Sequence, residues 1–234
     1  MRTIPSVKFL KPPTSLKHIR TITKNGKPTE RCYSVGHSAD GHILLGCEKG
    51  LYHLNSTGSP VYSFKNVLQN IRSVTEHHYA IYMLCQKDGV CKVRMCTPNL
   101  KASQKLLKFK IMDSQEAAMT VSDEYIVVSN PEHGELYVYD FISKTYEVAN
   151  PPIHNNPYFL PDGHLLAVGN DKLAKYSLKK GKLDLVWTCD ELPNSGAVCA
   201  DNNGLIYVLA HFSEILTTKG RIYVVSDKGK ADYI

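Results

Sequence analysis

Residues 159–187 read FLPDGHLLAVGNDKLAKYSLKKGKLDLVW, and three short apolar runs alternate in them with tight polar turns. The runs lie at 164–168, 173–178 and 183–187. Apolar runs of four to eight residues bounded by Gly, Pro, Asn or Asp are typical of β-strands. Each strand leaves an apolar face that only another sheet can cover, so the stretch predicts one sheet of a repeating all-β array.

The turn and the strand that open this stretch recur five times along the chain. An acidic residue marks each copy, and successive copies are 36, 47, 39 and 39 residues apart. The five acidic residues are Asp40, Glu76, Asp123, Asp162 and Asp201. A period near 40 with four short strands per unit is typical of propeller blades. We therefore predict a β-propeller of four-stranded antiparallel blades with five recognisable repeats, hence five blades, or six if one is degenerate.

Residues 1–30 do not follow the repeat and carry seven Lys or Arg side chains against the single Glu30. The last repeat, in contrast, shows no outer strand of its own, which would leave an unprotected sheet edge. We predict that 1–30 form a basic N-terminal segment and that 31–234 form the propeller. In this interpretation His18 to Thr23 pair with the strand Arg221 to Ser226 and close the ring.

Composition indicates an ordinary globular protein, with 43% hydrophobic residues. Neither a secretory leader nor an apolar run long enough to span a membrane is recognisable. The seven cysteines form no C-x-x-C pair, and several, such as Cys47, Cys85 and Cys199, fall inside apolar strand patterns. The sequence therefore predicts reduced cysteines and a cytoplasmic protein without membrane contact.

The net charge of +6 is unevenly distributed. Residues 86–110 hold seven basic groups against Asp88, whereas 113–147 hold eight acidic groups against Lys144. Such segregation either steers charged partners or reflects the solvated outer faces of neighbouring blades, and the sequence leaves both explanations open.

Three segments resemble the NHL-type propellers: GHILLGCEKGLYHLNSTGS (41–59), SGAVCADNNGLIYVLA (195–210) and GRIYVVSDKGK (220–230). NHL-type propellers often form the C-terminal part of tripartite-motif ubiquitin ligases. The Asn-His-Leu signature is absent, and RING, B-box and coiled-coil segments are absent too, so the resemblance does not imply ligase activity. WD repeats match less well, because no spacing of a Gly-His pair followed by a Trp-Asp pair recurs, and only Tyr139-Asp140 is similar to the second pair. The resemblance implies a binding propeller, and some NHL propellers grip single-stranded RNA.

Catalytic and metal chemistry receives little support from the sequence. The acidic residue of each repeat is explained by capping of its own turn, which leaves calcium as the weaker alternative. Cys85, Cys91 and Cys96 with His77 and His78 form the densest thiol–imidazole group, but their spacing fits no structural zinc pattern. The sequence therefore predicts no catalytic residue, no bound metal and no cofactor.

A metal-dependent enzyme of the lactonase-propeller type remains a second alternative. Such an enzyme needs Glu, Asn and Asp ligands on inner strands, and Glu116 and Asn194 are the only candidates that the sequence suggests.

The first hypothesis for function is a non-catalytic platform for protein–protein interaction, since loops on a rigid scaffold are where binding residues concentrate. The alternative is binding of single-stranded RNA by basic and aromatic side chains on one rim. The longest irregular loop is predicted at His211 to Gly220, where the apolar Phe212 either forms an exposed contact site or folds back onto the blade. Rim loops are expected to present Lys49, Lys87, His133, Tyr158, Lys172, His211 and Phe212.

Overall fold

The structure is a computed structural model that describes residues 31–65, 68–97, 103–109, 116–190, 192–201, 203–214 and 217–233. These residues form twenty β-strands, and no helix occurs among them. The strands assemble into five four-stranded sheets in which each strand pairs antiparallel with its sequence neighbours. The predicted all-β propeller is thereby confirmed, and the described chain has five blades.

Each blade is a simple meander whose strands follow one another from the innermost to the outermost position. Blade 1 comprises β1 (Cys32–His37), β2 (Ile43–Cys47), β3 (Gly50–Leu54) and β4 (Pro60–Lys65). Blade 2 comprises β5 (Ile71–His77), β6 (Ala80–Lys87), β7 (Val90–Cys96) and β8 (Ser103–Phe109). Blade 3 comprises β9 (Met119–Val121), β10 (Tyr125–Asn130), β11 (Glu135–Asp140) and β12 (Tyr146–Ala149). Blade 4 comprises β13 (Asn155–Phe159), β14 (Leu165–Gly169), β15 (Lys172–Lys179) and β16 (Lys182–Cys189). Blade 5 comprises β17 (Ser195–Ala200), β18 (Ile206–Glu214), β19 (Thr217–Val225) and β20 (Ala231–Tyr233).

The meander sorts the turns onto two opposite faces. Turns between the first and second strands share one face, which we call the histidine face because it carries His42, His77, His78 and His164. Turns between the second and third strands lie on the other, which we call the lysine face because it carries Lys49, Lys87 and Lys172. Turns between the third and fourth strands return to the histidine face.

Blade 5 differs from the prediction in two ways. Its outer strand is supplied by the chain's own C-terminal residues, because β20 pairs with β19 through Tyr223 and Tyr233. The premise that the last repeat lacks an outer strand is therefore wrong. The expected loop at 211–220 is also wrong, because β18 and β19 stay paired to Glu214 and Thr217 as a long hairpin. The expected pairing of His18 to Thr23 with Arg221 to Ser226 is wrong too, because β18 and β20 occupy both edges of β19 at Tyr223 to Val225. His18 to Thr23 themselves lie outside the described residues, so a role of the N-terminal segment in closing the ring by other contacts stays a prediction.

The described residues form four separate apolar clusters, one at each junction between consecutive blades 1 to 5. Leu44 and Met83 join blades 1 and 2, and Leu84 and Val128 join blades 2 and 3. Val127 and Tyr176 join blades 3 and 4, and the fourth cluster, around Leu166 and Val208, joins blades 4 and 5.

Among the described residues, no such cluster joins blade 5 to blade 1. Val35 in β1 is 72% exposed and Leu209 in β18 is 37% exposed. We call this junction between blades 5 and 1 the seam.

A disulfide corrects the expectation that all cysteines are reduced. Cys32 and Cys47 lie opposite each other in β1 and β2, and their sulphur atoms are bonded. The remaining cysteines are free, and burial raises the pKa of Cys85 and Cys96 to about 12 and that of Cys91 to about 11. These three thiols are protonated at neutral pH and pack as small apolar side chains.

The described part of the chain contains no helix that is long and apolar enough to cross a lipid bilayer.

Candidate functional site

Six of the seven sequence-predicted rim residues, all but Tyr158, lie on one face of the propeller. Lys49, Lys87, His133 and Lys172 all lie at turns between second and third strands, so the fold brings them to the lysine face. His211 and Phe212 lie on the hairpin of β18 and β19 that extends from the same face.

The lysine face is nevertheless not a continuous positive surface. Each of its basic turn residues has an acidic neighbour in the sequence: Glu48–Lys49, Lys87–Asp88, Glu132–His133 and Asp171–Lys172. Lys172 Nζ also lies 3.3 Å from Asp190 Oδ1. Opposite charges at this spacing partly neutralise each other, which weakens the attraction of this face for phosphate groups.

Tyr158 lies in strand β13 and not in a rim loop, which corrects its predicted position. Its hydroxyl donates to the Ala200 carbonyl at 3.2 Å, and its ring packs against the apolar cluster between blades 4 and 5. Burial raises the pKa of this phenol. A ring held in this way is not free to stack on a nucleic-acid base.

The structure places the two candidate ligands for a lactonase-type metal in different blades. Glu116 precedes the first strand of blade 3 and Asn194 that of blade 5. Both side chains are exposed, and the Asn194 backbone N–H donates to Asp171 Oδ1. Among the His, Cys, Asp and Glu side chains of the described residues, Glu116 belongs to no group that is close enough to hold a metal ion.

Between blades 3 and 4, the histidine face contains a cleft of about 670 Å³. The turn after β11 and the turn after β15 form its two walls. Its lining has both signs of charge, with Glu124, Asp140 and Glu147 on the side of blade 3 and Lys179 and Lys180 on the side of blade 4. A cleft of this size with mixed charge and an apolar floor accommodates a side chain or a short peptide segment.

Ile142 lies at the rim of this cleft and is 81% exposed, the highest value among the large apolar side chains that the structure describes. Asp140 Oδ1 accepts hydrogen bonds from the backbone N–H groups of Ile142 at 2.7 Å and Ser143 at 3.0 Å. The Ser143 and Thr145 hydroxyls are 2.8 Å apart. These bonds fix the turn, so the apolar side chain is presented to solvent on a rigid backbone.

Strand β16 next to the cleft adds further exposed apolar surface, because its Leu185 and Val186 are 53% and 49% exposed. A β-bulge places Val186 there as an extra residue, since Tyr176 pairs with Leu185 while Lys175 pairs with Trp187. Together with Ile142, Leu185 and Val186 form what we call the blade 3–4 patch. The exposed Tyr146 and Val148 of β12 lie on the other side of blade 3, where the Tyr146 ring contacts Phe109 of blade 2.

On the histidine face, the turn acids of neighbouring repeats meet imidazoles. His77 Nε2 and His78 Nε2 lie 2.7 Å and 2.6 Å from the same oxygen, Asp123 Oδ1. In blade 1, Asp40 lies beside His42, which in turn contacts His53. Hydrogen bonds hold the pKa of both carboxyl groups below the ordinary value, from Ser38 to Asp40 and from the two histidines to Asp123.

The blade 3–4 patch was not predicted from the sequence, although the sequence contains one signal for it. The turn Asp140-Phe141-Ile142-Ser143-Lys144-Thr145 contains an isoleucine flanked by the residues that typically cap a turn. The exposure of Val186 had no signal, because the bulge that turns it outward depends on how β15 and β16 pair.

Comparison with protein families finds no model that matches this chain. Nor does any curated protein match its sequence.

Many solved structures share the fold. A protein of unknown function from Bacteroides caccae superposes with a TM-score of 0.65 at 13% identity, over 88% of this chain and 82% of that one. Hydrazine synthase from Kuenenia stuttgartiensis gives 0.61 at 13% identity, over 92% and 69%. A chain of a nidogen–laminin complex gives 0.64 at 9% identity, over 85% and 77%. Similarity at this identity establishes the propeller fold and leaves function to the site itself.

Proposed function

We propose that this propeller is a non-catalytic platform that binds another protein through the blade 3–4 patch and the adjoining cleft. The observation that carries the proposal is Ile142, an aliphatic side chain that is 81% exposed on a turn fixed by Asp140. Leaving such a side chain in water is unfavourable by about 1.5–3 kcal/mol relative to burial. A partner that covers it gains this free energy with little ordering cost, since the turn is already rigid.

The shape and charge of the patch define the partner's chemistry. Apolar side chains of the partner would cover Ile142, Leu185 and Val186, which forms the dry centre of the contact. Basic and acidic groups at the rim would face Glu147 and Lys180 respectively, which favours one orientation of the bound segment. An extended or helical protein segment with an apolar stripe and flanking charges of both signs meets these conditions.

The sequence resemblance to NHL-type propellers supports a binding role, since many propellers serve as interaction modules. One structural neighbour is a chain of a nidogen–laminin complex, which is a protein–protein assembly. Another neighbour is an enzyme, hydrazine synthase, so the fold by itself does not decide between the two classes.

The proposal is tested by affinity capture from the native cells with wild type and two single variants. Ile142→Glu places a charge at the centre of the patch, whereas Val61→Glu places the same charge on an exposed valine in blade 1. We expect a captured protein that is lost with Ile142→Glu and retained with Val61→Glu. Reconstituted with the purified partner, Ile142→Glu should weaken binding by at least about 30-fold, as expected for a hot-spot residue. The same captured proteins with all three baits would contradict the proposal.

RNA binding is the second candidate, because the fold gathers Lys49, Lys87 and Lys172 on one face. Mixed-sequence single-stranded RNA is the probe, measured at low and at physiological salt with Lys172→Glu and Phe212→Ala alongside wild type. We expect weak binding that disappears at physiological salt and ignores Phe212→Ala, because scattered cations bind phosphate only through salt-sensitive attraction. Binding that survives in salt and falls with both variants would instead establish base stacking.

A cytoplasmic location remains a prediction, and the Cys32–Cys47 disulfide counts against it because disulfides persist in oxidising compartments.

A further inference from the structure

Blade 1 brings three metal-ligating side chains together on the histidine face. Asp40 lies in the turn between β1 and β2, His42 directly precedes β2, and His53 lies in β3. The pairing of Leu44 with His53 places His42 and His53 as diagonal neighbours on one side of the sheet. We call these three residues the blade 1 triad.

The distances within the triad are those of ligands around a common ion. His42 Nδ1 lies 3.0 Å from His53 Nε2 and 3.2 Å from Asp40 Oδ2. Bonds of 2.0–2.1 Å to a tetrahedral ion place two ligand atoms roughly 3.3 Å apart. The three atoms also lie within 4.8 Å of one another.

Hydrogen bonding alone accounts poorly for these contacts. If His42 Nδ1 carries a proton, Asp40 and the His53 lone pair compete for it, and each receives a weak share. If His42 Nδ1 is unprotonated, it accepts from His53, but its lone pair then faces the Asp40 carboxylate. A cation at the centre satisfies all three lone pairs at once.

The second group of this kind, His77, His78 and Asp123, lacks this conflict. Each imidazole Nε2–H can donate to the same carboxylate oxygen, at 2.7 Å and 2.6 Å. His78 and Asp123 are about three-quarters exposed, so ordinary solvated hydrogen bonds explain the group. It serves as a matched control for the triad.

The surroundings of the triad are also those of a metal site. His53 is buried, which fixes its ring, and Asp40 is largely exposed, which leaves one side open for a water ligand. Ser38 Oγ and the His42 backbone N–H donate to Asp40 Oδ1, so the other carboxylate oxygen faces His42. Such outer hydrogen bonds orient the ligands of metal centres.

We propose that Asp40, His42 and His53 bind a divalent transition-metal ion, with Zn²⁺ as the best match. Two imidazoles and one carboxylate suit zinc and its neighbours in the first transition row, whereas Ca²⁺ and Mg²⁺ require more oxygen ligands. The ion ties the first turn of blade 1 to its third strand, and Ala39 N–H donates to Glu76 Oε1 of blade 2 at 3.1 Å. It therefore stabilises blade 1, independently of the partner surface on blades 3 and 4.

The test uses tag-free, chelator-treated full chain titrated with ZnCl₂ by calorimetry, and with CoCl₂ by visible absorption. We expect one equivalent of tight binding, a tetrahedral Co²⁺ spectrum and a melting temperature that rises with zinc. His42→Ala and Asp40→Asn should each weaken zinc binding by at least about 30-fold, and Ser38→Ala by about 10-fold. The double variant His77→Ala/His78→Ala should bind zinc like wild type.

His53→Ala is the weaker variant for this purpose because the residue is buried and its loss can impair folding. Unchanged zinc affinity in His42→Ala and Asp40→Asn would overturn the proposal. A loss confined to the His77→Ala/His78→Ala variant would overturn it as well, since zinc would then occupy the control group. An octahedral Co²⁺ spectrum with weak binding would show only adventitious surface coordination.

Discussion

The junction between blades 4 and 5 and the seam between blades 5 and 1 involve the same kinds of strands, yet they differ in packing. At the first, Leu166, Val168 and Val208 are fully buried in one cluster. At the second, Val35 and Leu209 remain exposed, and none of the extensive strand-to-strand contacts of the described chain crosses it. Each blade can bury its apolar faces only against another element. At the seam, no apolar cluster of the described residues covers the facing sides of blades 5 and 1.

The stability of this fold therefore resides in the contacts between consecutive blades. Four of the junctions are built from residues close in sequence, as in other repeat architectures. The seam alone would have to be closed by residues far apart in the chain. The apolar cluster of blade 1 faces blade 2. The disulfide of blade 1 links β1 and β2 covalently, next to the seam, where the described residues form no such cluster.

The largest expected effect contrasts two leucine truncations. Leu166→Ala removes a fully buried side chain from the junction of blades 4 and 5 and should cost about 2–5 kcal/mol of unfolding free energy. Leu209→Ala, at the seam, should cost less than about 1 kcal/mol, because its side chain is already partly in water. Urea unfolding measures both values. Equal losses would show that the seam is packed as tightly as the other junctions.

The next effect concerns the disulfide of blade 1. Cys32 and Cys47 close a loop with a sequence separation of 15, and a loop of this size contributes about 3 kcal/mol by restricting the unfolded chain. The double variant Cys32→Ala/Cys47→Ala should lose about 2–3 kcal/mol in urea unfolding under non-reducing conditions. With dithiothreitol present, wild type should fall to the level of the variant. A wild type that is insensitive to dithiothreitol would mean that the bond does not form.

The seam itself is tested by deleting residues 1–23. The prediction that residues 1–30 close the ring now rests on the exposed side chains of the seam, since the outer edge of blade 5 is already paired. Covering Val35 and Leu209 would contribute about 1–2 kcal/mol. The deletion should then lower the melting temperature by roughly 2–8 °C, given about 2–4 °C per kcal/mol for a chain of this size. An unchanged melting temperature would show that the segment does not stabilise the ring.

Cys199 gives the same deletion a local readout. It lies in β17 and is exposed, whereas the other four free cysteines are buried. Its labelling by iodoacetamide should accelerate in the deletion variant if residues 1–23 cover the seam. Although Cys199 is exposed as a residue, partial desolvation of its sulphur and the nearby Asp201 carboxylate raise the pKa of this thiol, so its labelling rate should continue to rise beyond the pH at which an ordinary cysteine is half ionised. Equal labelling rates in both proteins would place the segment elsewhere.

The sequence was sufficient to predict the five repeats, but not the outer strand of the last blade or the disulfide of the first. Turn chemistry such as Pro161-Asp162-Gly163 and alternating apolar runs are local signals, and they predicted all five repeats. The outer strand Ala231–Tyr233 was missed because three residues carry too little periodicity to predict a strand. The Cys32–Cys47 bond was missed because it depends on strand register, which composition does not reveal.

The site was less predictable than the fold because its geometry depends on contacts between residues far apart in the chain. Lys49, Lys87 and Lys172 share a face because their turns occupy equivalent places in the repeat, and the sequence predicted this grouping. The predicted position of Tyr158 was wrong because its hydroxyl donates to the Ala200 carbonyl, 42 residues away, a contact that the local sequence does not reveal. Non-local contacts of this kind decide which side chains are presented to a partner.

The smallest expected effect compares the same turn in two blades that differ in their neighbours. Asp162, in blade 4, accepts from the His164 backbone N–H and from Lys175 Nζ at 3.0 Å, and Lys175 is buried. Asp201, beside the seam, accepts from its own turn's backbone at Asn203 and Leu205. Asparagine also caps such turns, so Asp201→Asn should be nearly neutral, whereas Asp162→Asn deprives a buried ammonium of its carboxylate and should cost about 1–2 kcal/mol.

The pH dependence of this difference follows from the direction of the pKa shift. Burial alone would raise the pKa of Asp162, but hydrogen bonds from the His164 backbone and Lys175 outweigh it, and the pKa lies below its ordinary value. A carboxyl group whose folded-state pKa is depressed stabilises the fold above its unfolded pKa, near 4, and loses that contribution as pH falls through the folded value. The difference in unfolding free energy between wild type and Asp162→Asn should therefore be largest at pH 6–7 and should shrink below pH 4.

Urea unfolding of both proteins at pH 7, 5, 4 and 3 measures this difference, with Asp201→Asn as the control that is expected to follow wild type at each pH. A gap that stays constant down to pH 3 would show that Asp162 acts through packing and not through its charge on Lys175.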